Sequence, residues 1–471
     1  MRRRRIVHAI FAIVQICNIL QNRELPTASR LATPSASAPT APASHSQCAL
    51  PVQPIDPVKH PKHPNPIVSE PRISPSAAGY PPSRAPPASV SSPPLSLRIQ
   101  AIASINPKFC WPLKTAFHLL YKAARDIRPH SIRRAKGLSF HEFVAYYGMR
   151  LYQGRLTPVQ IQNLLPSTEK TCGRFARKHG LVHRVVELDY GGVVHQLGGD
   201  ATGLSTGDPV RHVVLFHGGG YMAPALGRHL ELAIGFADRP RGDVVVHMLQ
   251  YGLVSGHTNQ YPVQLQQATS LIHHLLHTQH IAPSQIILLG DSAGAHLLLS
   301  LILHLHHPNP LVKSIPFQGR FAGAVLLSPW LSLHTPVQAM RDTDAEDVLD
   351  KESLARWADG FLGGAPPDPW NDPLTAPREW WTELPIEDIL LLYGEEELLR
   401  DDGARLAGVL GECHASTVAV AVPGEVHVHM VMNQFLLLKK PCESEELYKR
   451  WMERHLGGRV VEVAVKGGDS T

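Results

Sequence analysis

An α/β fold, with a mostly parallel central sheet flanked by helices, is the class this sequence predicts, and three observations carry that prediction. From about residue 181 onward, short apolar runs of strand length alternate with longer segments of helical spacing. One such run, Gln285-Ile286-Ile287-Leu288-Leu289, passes directly into Gly290-Asp291-Ser292-Ala293-Gly294. Ala295-His296-Leu297-Leu298-Leu299-Ser300-Leu301 then begins a helix, so the pattern is strand, tight turn, helix. A second run, Val213-Val214-Leu215-Phe216, ends in His217-Gly218-Gly219-Gly220-Tyr221, with His217 75 residues before Ser292.

The elements follow in order. Residues 1–24 open with four arginines and an apolar stretch interrupted by His8, Gln15 and Asn18. That stretch is short for a bilayer span and reads as a signal, anchor or transit segment, or as an untargeted tail. Residues 25–98 form a Pro-rich linker, with 18 prolines between positions 25 and 95. Such a composition buries too little apolar area to offset chain entropy, so a disordered arm is expected. Apolar residues return in 99–180, where Ser139 to Leu165 reads as helical. In 181–471, His183–Leu188 and Val193–Leu197 flank Tyr190-Gly191-Gly192 as a hairpin. Strands are expected at Val213–Phe216, Asp243–Leu249, Ala322–Leu327, Ile389–Tyr393 and Val418–Val422, with helices at Leu265–Leu276 and Leu447–Leu456. Residues 333–384 are a long, proline-containing insertion between two strands.

Charge is distributed unevenly. Residues 1–136 hold 19 Lys+Arg and 4 Asp+Glu, a net +15, whereas residues 137–471 hold 26 and 36, a net −10. The basic balance belongs to the arm, and an acidic body would repel nucleic-acid phosphate, so no nucleic-acid partner is expected. The six cysteines (17, 48, 110, 172, 413 and 442) show neither Cys-x-x-Cys nor metal-ligand spacing, which argues against a metal site and a disulfide framework. The histidine groups His273-His274, His277, His280 and His304, His306-His307 read as exposed helix faces and ends. His141-Glu142 begins a zinc-protease-like stretch, but Ala145 stands where the second histidine is needed.

The two glycine motifs have distinct chemical logic. Serine at the tip of a strained strand-to-helix turn needs small flanking residues, which Gly290 and Gly294 provide, and the helix N-terminus favours developing negative charge. Attack on an ester carbonyl creates an oxyanion, and consecutive glycines let backbone N–H groups approach it closely. With these motifs in this order, the chain resembles the hormone-sensitive-lipase-like branch of the α/β hydrolases, particularly its fungal esterase and steryl-acetyl-hydrolase-like members. Tyr261-Pro262-Val263-Gln264-Leu265, Leu327-Ser328-Pro329-Trp330, Glu379-Trp380-Trp381 and Tyr393–Asp402 add to the resemblance, which runs from about Arg150 to the end.

The resemblance implies an α/β-hydrolase catalytic domain over 181–471, with a helical cap from 99–180 and the 333–384 insertion. It implies the chain order serine, acid, histidine. Glu397-Leu398-Leu399-Arg400-Asp401 matches the acid pattern, with Glu395 second and Asp401 third as alternatives. Gly424-Glu425-Val426-His427 matches Gly-x-x-His, with His429 two residues on. The expected triad is therefore Ser292, Glu397 and His427. The expected oxyanion donors are the N–H groups of Gly219, Gly220 and Ala293. His217, Gly218, Gly290, Asp291 and Gly294 complete the motifs, and His212 and His217 read as structural.

The function expected is hydrolysis of carboxylic esters of small molecules through an acyl-enzyme, with no cofactor or metal. Amide hydrolysis or acyl transfer by the same triad is the alternative, and a receptor that has lost its base is another. Membrane association through the N-terminal segment is a possible partner interaction, and a cytoplasmic or endoplasmic-reticulum-membrane-associated location is expected.

Overall fold

The computed structural model describes residues 137–198, 210–237, 243–336, 347–436, 438 and 440–456. The N-terminal segment, the Pro-rich arm and the first part of the expected cap lie outside the described residues. Among the described residues, no helix is long and apolar enough to cross a membrane.

Three helices precede the sheet: α1 (Phe140–Arg155), α2 (Pro158–Leu164) and α3 (Thr168–His179). The expected single helical stretch from Ser139 to Leu165 is thus two helices. Leu156 closes the first in an extended conformation, and Pro158, which has no N–H to donate, is accepted only at the start of a new helix. Both N-termini carry capping boxes. Ser139 Oγ accepts the Glu142 N–H while Glu142 reaches back to the Ser139 N–H, and Thr157 and Gln160 repeat the arrangement.

The sheet has eight strands: β1 (Val182–Glu187), β2 (Val193–Gly198), β3 (Arg211–Phe216), β4 (Val244–Gln250), β5 (Ile286–Asp291), β6 (Phe321–Leu327), β7 (Ile386–Gly394) and β8 (Thr417–Val422). Their order is β1-β2-β4-β3-β5-β6-β7-β8. β1 and β2 form the expected antiparallel hairpin, β2 runs antiparallel to β4, and every later pairing is parallel. Parallel strands need crossovers, and these are made by α4 (Gly227–Ala233), α5 (Val263–His273), α6 (Ala293–His306), α7 (Lys351–Leu362) and α8 (Arg400–Cys413). After β8 come α9 (His429–Phe435) and α10 (Glu443–His455).

β5 shows why the sheet is stable. All six of its residues are buried. Ile286 and Leu288 enter one apolar cluster and Ile287 and Leu289 another, so the period-two side-chain alternation feeds both faces. The helix that follows, α6, is buried along nearly its whole length, as expected of a helix that is apolar all round. That placement corrects the reading of the histidine groups as exposed. His304 is buried, accepting the Asn309 N–H at Nδ1 and facing the Lys313 carbonyl at Nε2. His273, His277 and His306 are exposed.

Within the 333–384 insertion, α7 is capped by Asp350, whose carboxylate accepts the Ser353 N–H at 2.9 Å, and it ends at Gly363 in the left-handed region (φ 60°). Single 3-10 turns at Pro373–Thr375 and Arg378–Trp381 lead into β7.

Candidate active site

Ser292 stands between β5 and α6 with φ 54° and ψ −120°, a conformation costly for a residue bearing a side chain. The surroundings impose it. The Ser292 N–H donates to the Leu327 carbonyl at 2.8 Å, and the Ser292 carbonyl accepts the N–H groups of His296 (3.1 Å) and Trp330 (3.3 Å). A Cβ on Gly294 would run into the Phe216 carbonyl, so only glycine lets α6 pack this closely on β3.

His427 lies in the loop after β8. Its Nε2 is 2.9 Å from Ser292 Oγ and its Nδ1 is 3.3 Å from Glu397 Oε2. A carboxylate can only accept, so Nδ1 carries the proton and Nε2 presents its lone pair to the serine hydroxyl, which donates to it. Glu397 is fully buried. Burial alone would lower the His427 pKa, but the Glu397 carboxylate, with Asp347 and Asp291 behind it, outweighs burial and raises it above the usual imidazole value of 6.5.

The alternative residues sit differently. Glu395 is half-buried, and Asp401 is exposed in the first turn of α8, where Arg400 Nε lies 3.3 Å from its carboxylate. Asp402, next to it, is buried and accepts the N–H groups of Leu331 and Ser332. His429 heads α9, and one of its ring nitrogens lies within 4.8 Å of a Glu425 oxygen and Cys442 Sγ. Burial pushes the Cys442 thiol up to about 12 and holds His429 down to about 4, so this trio is a neutral imidazole and a protonated thiol beside the Glu425 carboxyl.

The glycine loop is held from below. The Gly218 N–H donates to Asp291 Oδ1 at 2.8 Å, and His229 Nε2 lies 3.2 Å from Asp291 Oδ2. His217 Nδ1 is 2.8 Å from the Gly218 carbonyl, and the Tyr251 hydroxyl donates to the His217 carbonyl at 2.7 Å. Gly219 has φ 111°, where a side chain is strained, and a Cβ there would lie 2.9 Å from the Ala223 Cβ. His212, expected to be structural, pairs with His247 at 2.9 Å in the sheet.

Sequence reasoning missed Asp347, which is fully buried beside Glu397 and His427. Its carboxylate accepts the backbone N–H of His427 at 3.0 Å and of Leu398 at 2.8 Å. No motif or spacing marks it. Trp357 and His229 were missed for the same reason.

Ser292 opens onto a cleft of about 740 Å³, its mouth included. Met149 and Tyr152 of α1, Ile161 of α2, Leu349 and Trp357 of the insertion, and Phe435 of α9 form much of its wall. The ionisable side chains among the described lining, besides Tyr152, are His229, Asp291 and His427, which all belong to the site just described. The interior therefore suits an uncharged, apolar molecule.

The sequence profile described as alpha/beta hydrolase fold matches residues 213–431. Esterase LipU of Mycobacterium tuberculosis is 30% identical over 244 residues, which span 48% of this chain and 71% of that protein. The chain belongs to the α/β hydrolases. An acetyl-hydrolase of Streptomyces hygroscopicus is also 30% identical to this α/β hydrolase, over 42% of this chain and 60% of its own length. An esterase of Acinetobacter venetianus is 30% identical over 40% of this chain and 57% of its own length. The chain thus spans somewhat over half the length of these two relatives. The fold is that of a hormone-sensitive lipase from a metagenome library, with a TM-score of 0.51 at 23% identity over 67% of this chain and 98% of the other.

Proposed function

We propose that this α/β hydrolase is a serine carboxylic-ester hydrolase in which Ser292 is the nucleophile, His427 the general base and acid, and Glu397 the residue that orients the imidazole. The observation that carries this reading is the line from the Glu397 carboxylate, 3.3 Å from His427 Nδ1, through the imidazole to its 2.9 Å hydrogen bond with Ser292 Oγ, ending in an apolar cleft beside a glycine loop. The relatives named acetyl-hydrolase and esterase support the same chemistry. Within the expected cap, residues 137–180 and α7 of the 333–384 insertion cover the cleft, whose wall draws on α1, α2 and α7.

The steps follow from the proton inventory. As Ser292 Oγ attacks the ester carbonyl, its proton passes to His427 Nε2, and Glu397 stabilises the imidazolium. Negative charge on the former carbonyl oxygen is met by the N–H groups of Gly219, Gly220 and Ala293 at the start of α6. The tetrahedral intermediate collapses, and the departing alkoxide takes the proton from His427. An acyl group remains on Ser292. Water then attacks the acyl carbon, giving its proton to His427, and the free carboxylic acid leaves as Ser292 is reprotonated.

A fluorophosphonate probe and a panel of p-nitrophenyl esters of increasing acyl length, with a formylated amine included, test this reading. Wild-type protein is expected to be labelled and to turn over uncharged esters, and Ser292→Ala to lose both while keeping its thermal melt. Labelling that persists in Ser292→Ala, or turnover confined to the amide, would overturn it.

A further inference from the structure

Asp347 makes hydrogen bonds that join parts of the chain far apart in sequence. Oδ1 accepts the N–H of His427 (3.0 Å) and of its own neighbour Val348 (2.7 Å), and Oδ2 accepts the N–H of Leu398 (2.8 Å), the residue after Glu397. One carboxylate thus grips the backbone of the proposed base and the backbone beside the proposed acid, 80 and 51 positions away. Its own carbonyl accepts from the Arg150 guanidinium of α1, and Val348 and Leu349, which follow it, line the cleft.

The base-bearing turn holds a strained residue next to His427. Val428 is left-handed at φ 46°, unfavourable for a β-branched residue, and its N–H donates to Ser328 Oγ at 3.0 Å. Charge-assisted bonds from backbone N–H to carboxylate are stronger than neutral ones, which suits a group that must keep two loops in register.

We propose that Asp347 is a positioning residue of the triad: it sets the spacing between the acid-bearing and base-bearing turns, and it adds a second negative charge next to the imidazolium that forms on His427. This rests on the serine-hydrolase reading above. The charged and titratable groups facing His427 are Glu397, Asp347 and Asp291, and those acting with Asp347 are His427, Glu397 and Tyr146. Burial raises the Asp347 carboxyl above the usual carboxylate range; His427 and the N–H groups of Leu398 and His427 pull against it and Glu397 pushes with it, and the net direction is up. Protonation of His427 therefore favours ionised Asp347, at the moment when the charge is useful.

A purely structural acceptor would need only oxygen, whereas the proposal needs charge, and the two separate in a titration. His427 is titrated by NMR in protein labelled at histidine, its resonance assigned by its absence from His427→Ala, in wild type and in Asp347→Asn. The expected result is a His427 pKa lower by about one unit in Asp347→Asn. The acid limb of kcat/KM should move down with it, kcat should fall tenfold or more, and KM should stay within about twofold. Asp347→Glu, which keeps the charge, should return the acid limb toward the wild-type position. Should Asp347→Asn fail to fold, the smaller neutral Asp347→Ser takes its place in the same titration. An unchanged His427 pKa in a folded neutral variant overturns the proposal, whatever happens to kcat. Wild-type protein that neither labels nor turns over esters would refute the hydrolase reading alone, because the His427 titration still reports on Asp347.

Discussion

Replacing Glu397 by glutamine leaves shape and burial nearly intact and removes one charge. The carboxylate oxygen lies 3.3 Å from His427 Nδ1, and both groups are buried. At an effective dielectric constant of about 20, a full charge pair at that distance is worth roughly 5 kcal/mol. That charge on His427 exists in the transition state and not in the resting enzyme, so the loss falls on the barrier, and roughly 5 kcal/mol corresponds to a rate loss of about 10³ to 10⁴. The amide can also turn its NH₂ toward Nδ1 and favour the wrong tautomer, which adds to the loss. The assay is kcat for p-nitrophenyl acetate in wild type, Glu397→Gln and Glu395→Gln, with thermal melts to establish folding. Glu395→Gln should stay within a few-fold of wild type. A folded Glu397→Gln protein within tenfold of wild type, or a larger loss in Glu395→Gln, would refute the reasoning.

Gly219→Ala should lower kcat by roughly 10²-fold or more, because a Cβ at φ 111° and 2.9 Å from Ala223 displaces the N–H donor; normal turnover would remove that loop from the mechanism. The base must be neutral to accept the serine proton, and His427 has its pKa raised by Glu397, Asp347 and Asp291 against burial. The kcat/KM profile should therefore fall on acidification with a midpoint above 6.5, and a midpoint below that contradicts the assignment. Stability should also fall with acid. His212, His217, His296 and His429 are held down to about 4 and His247 to about 3 by burial, whereas in the unfolded chain each binds a proton below about 6.5. The unfolded state thus holds more protons between about pH 6.5 and 4, and stability present above that window is lost as pH falls through it, at a cost on the order of 3 kcal/mol for each such histidine. A Tm lower by roughly 10 °C or more at pH 5 than at pH 7.5 is expected, measured by calorimetry, and a flat Tm would count against these buried neutral rings.

The parts of this protein legible in its sequence are those that local sterics dictate. A serine held at φ 54° between strand and helix demands glycine on both sides, and a loop of N–H donors demands glycines in a row, so both turns can be read in a few residues. Alternation of strand-length and helix-length apolar runs likewise announces a parallel sheet, and the hairpin at β1 and β2 follows from its turn residues. The break at Pro158 was present in the sequence too, but the hydrophobic pattern runs across it and hid it.

Choices among chemically equal side chains came only from the resemblance and not from the residues themselves, because they depend on where distant strands end. Glu395, Glu397 and Asp401 differ little as acids, and only the pairing of β7 with β6 and β8 brings Glu397, of the three, against the imidazole from the loop after β8. His427 and His429 are two residues apart, and the left-handed Val428 between them sends one ring to Ser292 and the other toward Glu425 and Cys442. Asp347 and the Asp291 clamp on Gly218 span 80 and 73 residues, distances at which composition and periodicity carry no information. His304 reads as a helix-surface residue from sequence, and only the burial of α6 along nearly its whole length encloses it. Local conformational cost is written residue by residue, whereas burial and electrostatic partnership belong to the packed chain and arise only when the elements meet.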